Sequence, residues 1–444
     1  MSANFIQWKL RVKILRFVSV FLLVVLLTNT EAVAQNFWKS TTGPYEEGSI
    51  VWSLAINDSG RIFAGTFGGG VFRSIDNGNT WIAANNGLVN PYIYALAINS
   101  KGQIFAGTFG SKVFRSNDNG ANWTSIGTGF FTLFVLSLAI NNLNDDIFAG
   151  TGLGVFRSSD DGEMWEFISN GLTTPSIYSI DINSNGDIFA GTLGGGVFRS
   201  TNNGEIWTPV NIGLASFFVL SLVINSKGYI FAGTDGDGIF RSTNNGDTWT
   251  PVNNGLTNPN VRALIINSKG HIFAGTGGGG VFLSKDDGQS WTPINNGLKN
   301  TNIRSLAINN SNGDIFVGSL GDGVFRSIHP FIVHQPSSLQ PSGQPILIQA
   351  DITDLDTISA TLSYRRGGDK RFTSIAMSDS GTVYQGIIPA DVVTARGVEY
   401  FIFASNSKGF TNPAPSSGIF SIQMQVSGET KSTVQPNGSA QTAY

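Results

Sequence analysis

The chain of 444 residues carries 27 lysines and arginines against 30 aspartates and glutamates, for a net charge of −3. That acidic balance argues against a nucleic-acid partner, whose phosphates call for a cationic surface. With no cysteine there is neither a disulfide framework nor a thiolate metal site, and a chain this long can bury enough core to do without them.

The first element is a leader. Lys9, Arg11, Lys13 and Arg16 form a basic start. Residues 17–27 are an apolar run too short for a comfortable membrane span, and Ala32-Val33-Ala34 offers a cleavage site before Gln35. Residues 1–34 are therefore expected to be a signal peptide. The remainder is expected to be exported, without a membrane span, to the periplasm, the cell surface or the medium. Losing the four cations together with Glu31 leaves it more acidic still.

A repeat then takes over. Trp81, Trp123, Trp165, Trp207, Trp249 and Trp291 stand 42 residues apart, and a period of about 40–50 residues built from short strands marks a propeller. In the fifth unit the apolar runs are 219–225, 229–234, 238–242 and 249–252, separated by Asn-, Asp-, Ser- and Gly-rich turns. Four such runs predict one antiparallel blade. The innermost run recurs seven times, from Trp52, Tyr94, Leu136, Tyr178, Leu220, Arg262 and Arg304. The outermost tryptophan recurs only six times, because the pattern stops after Ser327. Trp38 lies 43 residues before Trp81. The expected architecture is thus an all-β seven-bladed propeller over residues 35–328, with 35–42 supplying the last outer strand.

Six units carry Ser-x-Asp-x-Gly-x-x-Trp, or its asparagine version, as in Ser74, Asp76, Gly78 and Trp81. This resembles the Asp-box, or BNR, repeat of sialidases, sortilin-type receptors, xyloglucanase-type glycoside hydrolases and photosystem-assembly-factor-like proteins. The resemblance implies the propeller fold but no single function, since those relatives do unrelated things. The acidic position reads Asp76, Asp118, Asp160, Asn202, Asn244 and Asp286. Asparagine makes the same turn hydrogen bonds and cannot ionise, so the box is read as structural, with no catalytic or metal role.

Residues 329–345 hold Pro330, Pro336, Pro341 and Pro345 and are read as a linker. Six alternating runs within 346–426 suggest an immunoglobulin-like or fibronectin type III-like β-sandwich. The stretch 397–404 resembles a late strand of such modules in bacterial surface proteins. The polar tail 427–444 is expected to be disordered.

Function is sought where the repeats disagree. The innermost runs begin with Trp52, Tyr94, Tyr178, Arg262 and Arg304 among others, and Phe67 and Phe109 follow the second run. These residues are taken as a ligand-binding face, with aromatic planes for sugar or side-chain contacts and two arginines for an anion. The competing role is packing between blades, because Leu54 and Ile56 fall on the Trp52 side of an alternating strand. For catalysis the candidates are Asp181, Asp235 and Asp237, as acids of a sialidase- or xyloglucanase-like hydrolase acting on an extracellular polysaccharide. The favoured reading is a monomeric, non-catalytic binding protein for a glycan, peptide or protein. A periplasmic sensor or assembly factor is a further alternative. No cofactor or metal pattern stands out: the histidines are scattered, and the glycines from Gly277 to Gly280 precede no helix.

Overall fold

The computed structural model describes residues 37–425, apart from 45–49, 111, 131–133, 329–330, 335–338, 354–357, 381–382, 407–410 and 415–419. The signal-peptide and tail expectations, 1–34 and 427–444, lie outside the described residues.

Residues 36–329 form one compact unit. Among the described residues it holds seven four-stranded sheets. The first comprises Val51–Ile56, Ile62–Thr66, Gly70–Ser74 and Ile82–Ala83 in antiparallel order. Its inner strand contacts that of the next sheet, Ile93–Ile98, and so on until Ile303–Ile308 meets Val51–Ile56 again. Seven sheets thus surround one axis, which is a β-propeller. The second strand of each sheet, Ile-Phe-Ala-Gly-Thr in six copies and Ile315–Ser319 in the seventh, is buried throughout. Its large residues pack between neighbouring sheets, so that Phe63 joins Ile93, Ile104, Phe114 and Trp123 in one cluster. Each such burial stabilises by about 1.5–3 kcal/mol.

In the first six sheets the turn before the outer strand is held by its own side chains. Ser74 Oγ donates to Asp76 Oδ1 at 2.9 Å, the Gly78 amide donates to Ser74 Oγ at 2.8 Å, and the Thr80 amide donates to Asp76 Oδ1 at 2.8 Å. In the asparagine versions, Asn202 and Asn244 accept from the amides of Ile206 and Thr248, each at 3.0 Å. The residue before the glycine, such as Asn77 or Asn119, adopts φ near +60°, a conformation asparagine and aspartate tolerate better than other side chains.

A ring of arginines links these turns. Arg73, Arg115, Arg157, Arg199 and Arg241 each donate from Nη1 to the carbonyl of the positive-φ residue in the next sheet's turn, and Arg326 of the seventh sheet reaches back to Asn77 of the first at 2.8 Å. The sixth sheet has Leu283 in this place, buried at 6 % exposure. The repeat offset would carry an arginine there to a turn beyond the end of the pattern.

The seventh sheet takes its outer strand from the other end of the unit: Trp38–Ser40 pairs antiparallel with Val324–Ser327. Trp38 is 1 % exposed, and its indole donates to the Ile294 carbonyl. Trp123, Trp207, Trp249 and Trp291 make the same bond to the sheet before theirs.

The second unit contains two sheets among its described residues. One orders Phe331–Val333, Ile346–Thr353, Tyr384–Ile388 and Ser378–Asp379. The other runs Leu339–Pro341, Phe420–Gln425, Val398–Asn406, Ile358–Arg366 and Thr373–Ala376, with Thr411–Ala414 also on Val398–Asn406. The segment 329–345, expected as a linker, therefore supplies two strands to this unit. A buried histidine helps to fix it. His334 Nδ1 donates to the Gln349 carbonyl at 2.6 Å, and the bare Nε2 accepts from the Tyr400 hydroxyl at 2.6 Å. Burial lowers the His334 pKa, which keeps the ring neutral. Among the described residues no helix is long and apolar enough to cross a membrane.

Candidate binding site on the propeller axis

All seven inner strands share one irregularity. Val51 pairs with Thr66 and Ser53 with Gly65, leaving Trp52 as an extra residue. The same bulge falls on Tyr94, Leu136, Tyr178, Leu220, Arg262 and Arg304. A bulge takes a residue out of the ladder and re-aims its side chain. It also corrects the expected alternation: Val51 pairs with Thr66 and Leu54 with Ala64, so Val51 and Leu54 share a face, and Leu54 is not on the side of Trp52.

The seven bulged side chains converge. All of them line a cavity of about 520 Å³, which therefore stands on the axis. Phe109, Phe134, Gly152, Ser176, Leu193 and Asp235 complete the wall. The site is chemically divided. On one side Trp52 lies 4.8 Å from Tyr94 between ring centroids, Tyr94 5.9 Å from Phe109, and Phe109 4.5 Å from Phe134. Phe67 stands at the rim, 39 % exposed, against Trp52 and Tyr94. Burial, then the neighbouring Tyr178, raises the Tyr94 phenol above its ordinary pKa.

On the other side stand Arg262 and Arg304. The Arg304 guanidinium lies over the Trp52 ring at 4.9 Å. Burial, then Arg262, lowers its pKa from the usual arginine value. Among the described residues neither arginine has an ion-pair partner. The Nε atoms of both, and Trp52 Nε1, are buried without a hydrogen-bond partner in the described structure. Asp235 is engaged with the Asn260 amide. Gly277 makes room for Arg262: a Cβ there would come within 2.5 Å of Nε.

The acids do not gather. Asp235 lines the cavity, whereas Asp237 is exposed in the same loop and Asp181 lies farther along its strand, opposite Phe189. Asp181 is half-buried, and desolvation raises its carboxyl pKa to about 7, although it accepts from the Ile182 amide at 2.9 Å. Among the described residues no group of three His, Asp or Glu side chains is placed to hold a metal.

The sequence reading missed one row. Tyr92, Phe134, Phe218, Asn260 and Asn302 bridge to Phe67, Phe109, Leu193, Asp235 and Gly277, joining the loop of one sheet to the entry of the next. The available signal was that this position varies in step with the bulge two residues later.

The comparisons agree with this architecture. The family model described as the DUF6242 beta propeller domain matches residues 185–315. No curated protein matches the chain. Among solved structures, YCF48 bound to D1 peptide is 15 % identical with TM-score 0.54, covering 66 % of this chain and 96 % of that one. The extracellular domain of the one component system BT4673 from B. thetaiotaomicron is 13 % identical with TM-score 0.55, covering 89 % of this chain and 59 % of that one. The GH74 xyloglucanase from Xanthomonas campestris is 16 % identical with TM-score 0.51, covering 67 % and 53 %. At these identities the likeness concerns the fold. The chain is a β-propeller protein, built on a fold that serves binding proteins and enzymes alike.

Proposed function

We propose that the chain is an exported, non-catalytic binding protein: a monomeric seven-bladed Asp-box propeller over 35–328, then an immunoglobulin-like sandwich, with residues 1–34 removed as a signal peptide. The axial cavity takes the partner, which is a peptide, protein or glycan. The observation that carries this reading is the convergence of seven bulged residues, the variable ones of an otherwise regular strand, on one cavity. Its volume falls within the range of about 300–1,000 Å³ common for ligand sites. The peptide held by YCF48 adds support for a peptide or protein partner.

The test offers the full chain to a glycan array and to immobilised peptides. Binding is expected, and it is expected to vanish in Trp52→Ala/Tyr94→Ala with the circular-dichroism spectrum unchanged. Binding that survives this change overturns the assignment of the face.

A second reading is a glycoside hydrolase acting through Asp181, favoured by a carboxyl raised to about 7 and so poised for proton transfer near neutrality. Turnover of a polysaccharide that disappears in Asp181→Asn is the result that establishes it in place of the first.

A further inference from the structure

The axial site can be assigned a ligand chemistry, an inference that rests on the binding role proposed above. Arg262 and Arg304 stand on neighbouring sheets, line one cavity and have no counter-ion within 4 Å among the described residues. They are close enough for Arg262 to oppose the charge of Arg304. Two half-buried like charges are costly side by side unless an anion joins them. The chain keeps them there and clears the Arg262 seat with glycine at position 277, where Phe67, Phe109 and Leu193 stand in other sheets. A guanidinium pair offers forked donors that match the two oxygens of a carboxylate.

The rest of the site is largely apolar, with Asp235, held by the Asn260 side chain, and Ser176 as polar exceptions. Phe67, Tyr92, Phe109, Leu193 and Phe218 are each between 37 and 49 % exposed around it. A sugar would need hydrogen-bond partners for its hydroxyls, and this arc supplies little beyond tyrosine hydroxyls and the Trp52 indole. Apolar side chains of a polypeptide fit it without that loss.

We propose that the site binds a carboxylate carried on an apolar polypeptide segment, with the carboxylate between Arg262 and Arg304 and the apolar side chains on the arc from Trp52 to Phe134. The carboxylate comes from a chain terminus or from an acidic side chain.

The experiment titrates the full chain with one phenylalanine- and leucine-rich pentapeptide in three forms: free C-terminus, C-terminal amide, and amide with one internal aspartate. Calorimetry and intrinsic tryptophan fluorescence report binding, and oligosaccharides of uronic acid are run beside the peptides. At least one acidic form is expected to bind about tenfold more tightly than the uncharged amide. Preference for the free terminus or for the internal aspartate names the source. The difference is expected to vanish in Arg262→Gln/Arg304→Gln and to shrink in Gly277→Ala, which displaces Arg262 without removing charge. Equal binding of all three forms, or discrimination that survives the double variant, overturns the carboxylate assignment while leaving a binding site at the mouth. Arginine-dependent binding of the uronates alone overturns the peptide assignment. No binding by any probe at millimolar concentration, with the folded state intact, overturns the proposal, and the array experiment above then decides separately whether the mouth binds anything.

Discussion

The two ends of the propeller axis are made from the same repeat and behave oppositely. At one end the turns agree nearly residue for residue, because each side chain has a local partner: serine with aspartate, aspartate with amide, arginine with the next turn's carbonyl. At the other end the bulge releases one residue per sheet from the ladder, so its identity is not set by pairing. A repeat fold can therefore hold its ring with one end and vary the other. If that division is right, mutations at the two ends should separate stability from binding.

The largest effect is expected at the ring's seam. Trp38→Ala removes a buried tryptophan and its bond to the Ile294 carbonyl, a loss of about 3–5 kcal/mol. Thermal melting should show it plainly, and a melting curve matching the parent would mean that the seam contributes nothing to holding the ring.

Next comes Arg326→Ala, which strips the Asn77 carbonyl of a charged donor at 2.8 Å. A cost of about 1–3 kcal/mol is expected in denaturant unfolding, with ligand binding unaltered. At the opposite end, Arg262→Ala/Arg304→Ala should leave stability within about 1 kcal/mol, since the change also relieves a like-charge contact, and should abolish the salt dependence of binding. Reversed results from these two variants would break the comparison.

A pH series sharpens it. The Asp181 carboxyl is raised to about 7 when folded, against an ordinary 3.8. A raised acid binds its proton more tightly in the native state, so its contribution is present below pH 4 and is lost as pH rises towards 7. Asp181→Asn should therefore gain in melting temperature over the parent at pH 8 relative to pH 4; an equal difference at both values counts against a perturbed carboxyl.

The smallest effect belongs to Asp118→Asn, expected within about 1 kcal/mol near neutrality because the amide oxygen still accepts from Ser116 Oγ and the Asn122 backbone amide. Bonds from the Asn122 side chain, then its backbone amide, lower the Asp118 pKa below 3.8. That contribution is present above pH 4 and fades as pH falls through the lowered value, so the variant should lose less stability in acid than the parent. A larger acid loss in the variant would contradict the role given to Asn122.

Much of the propeller was legible because its signals repeat. The tryptophan spacing and the Ile-Phe-Ala-Gly-Thr runs each mark a strand that the structure contains. The site was legible as a row of disagreeing residues, from Trp52 to Arg304, and not as a geometry. A bulge leaves no mark in composition, since it is a shift of one residue in pairing, so strict alternation put Leu54 on the wrong face. The positive φ of Asn77 and Asn119 was hidden for a related reason: both residues suit an ordinary turn equally well. In 329–345 the prolines spoke for a linker, while the strands there are short and one pairs in parallel with Phe420–Gln425, a long-range partnership that no local pattern records.

The pairing of Trp38–Ser40 with Val324–Ser327 also sets an order of events. The strand made first must wait for almost the last strand of its unit before it has a partner. Until then the incomplete ring presents two bare sheet edges, the surfaces most prone to pair with another chain. Closure is a late, long-range step whose entropic cost is met only once all seven sheets exist. The time between synthesis and that clasp is the period in which this chain is most exposed to misassembly, and Trp38 ends it.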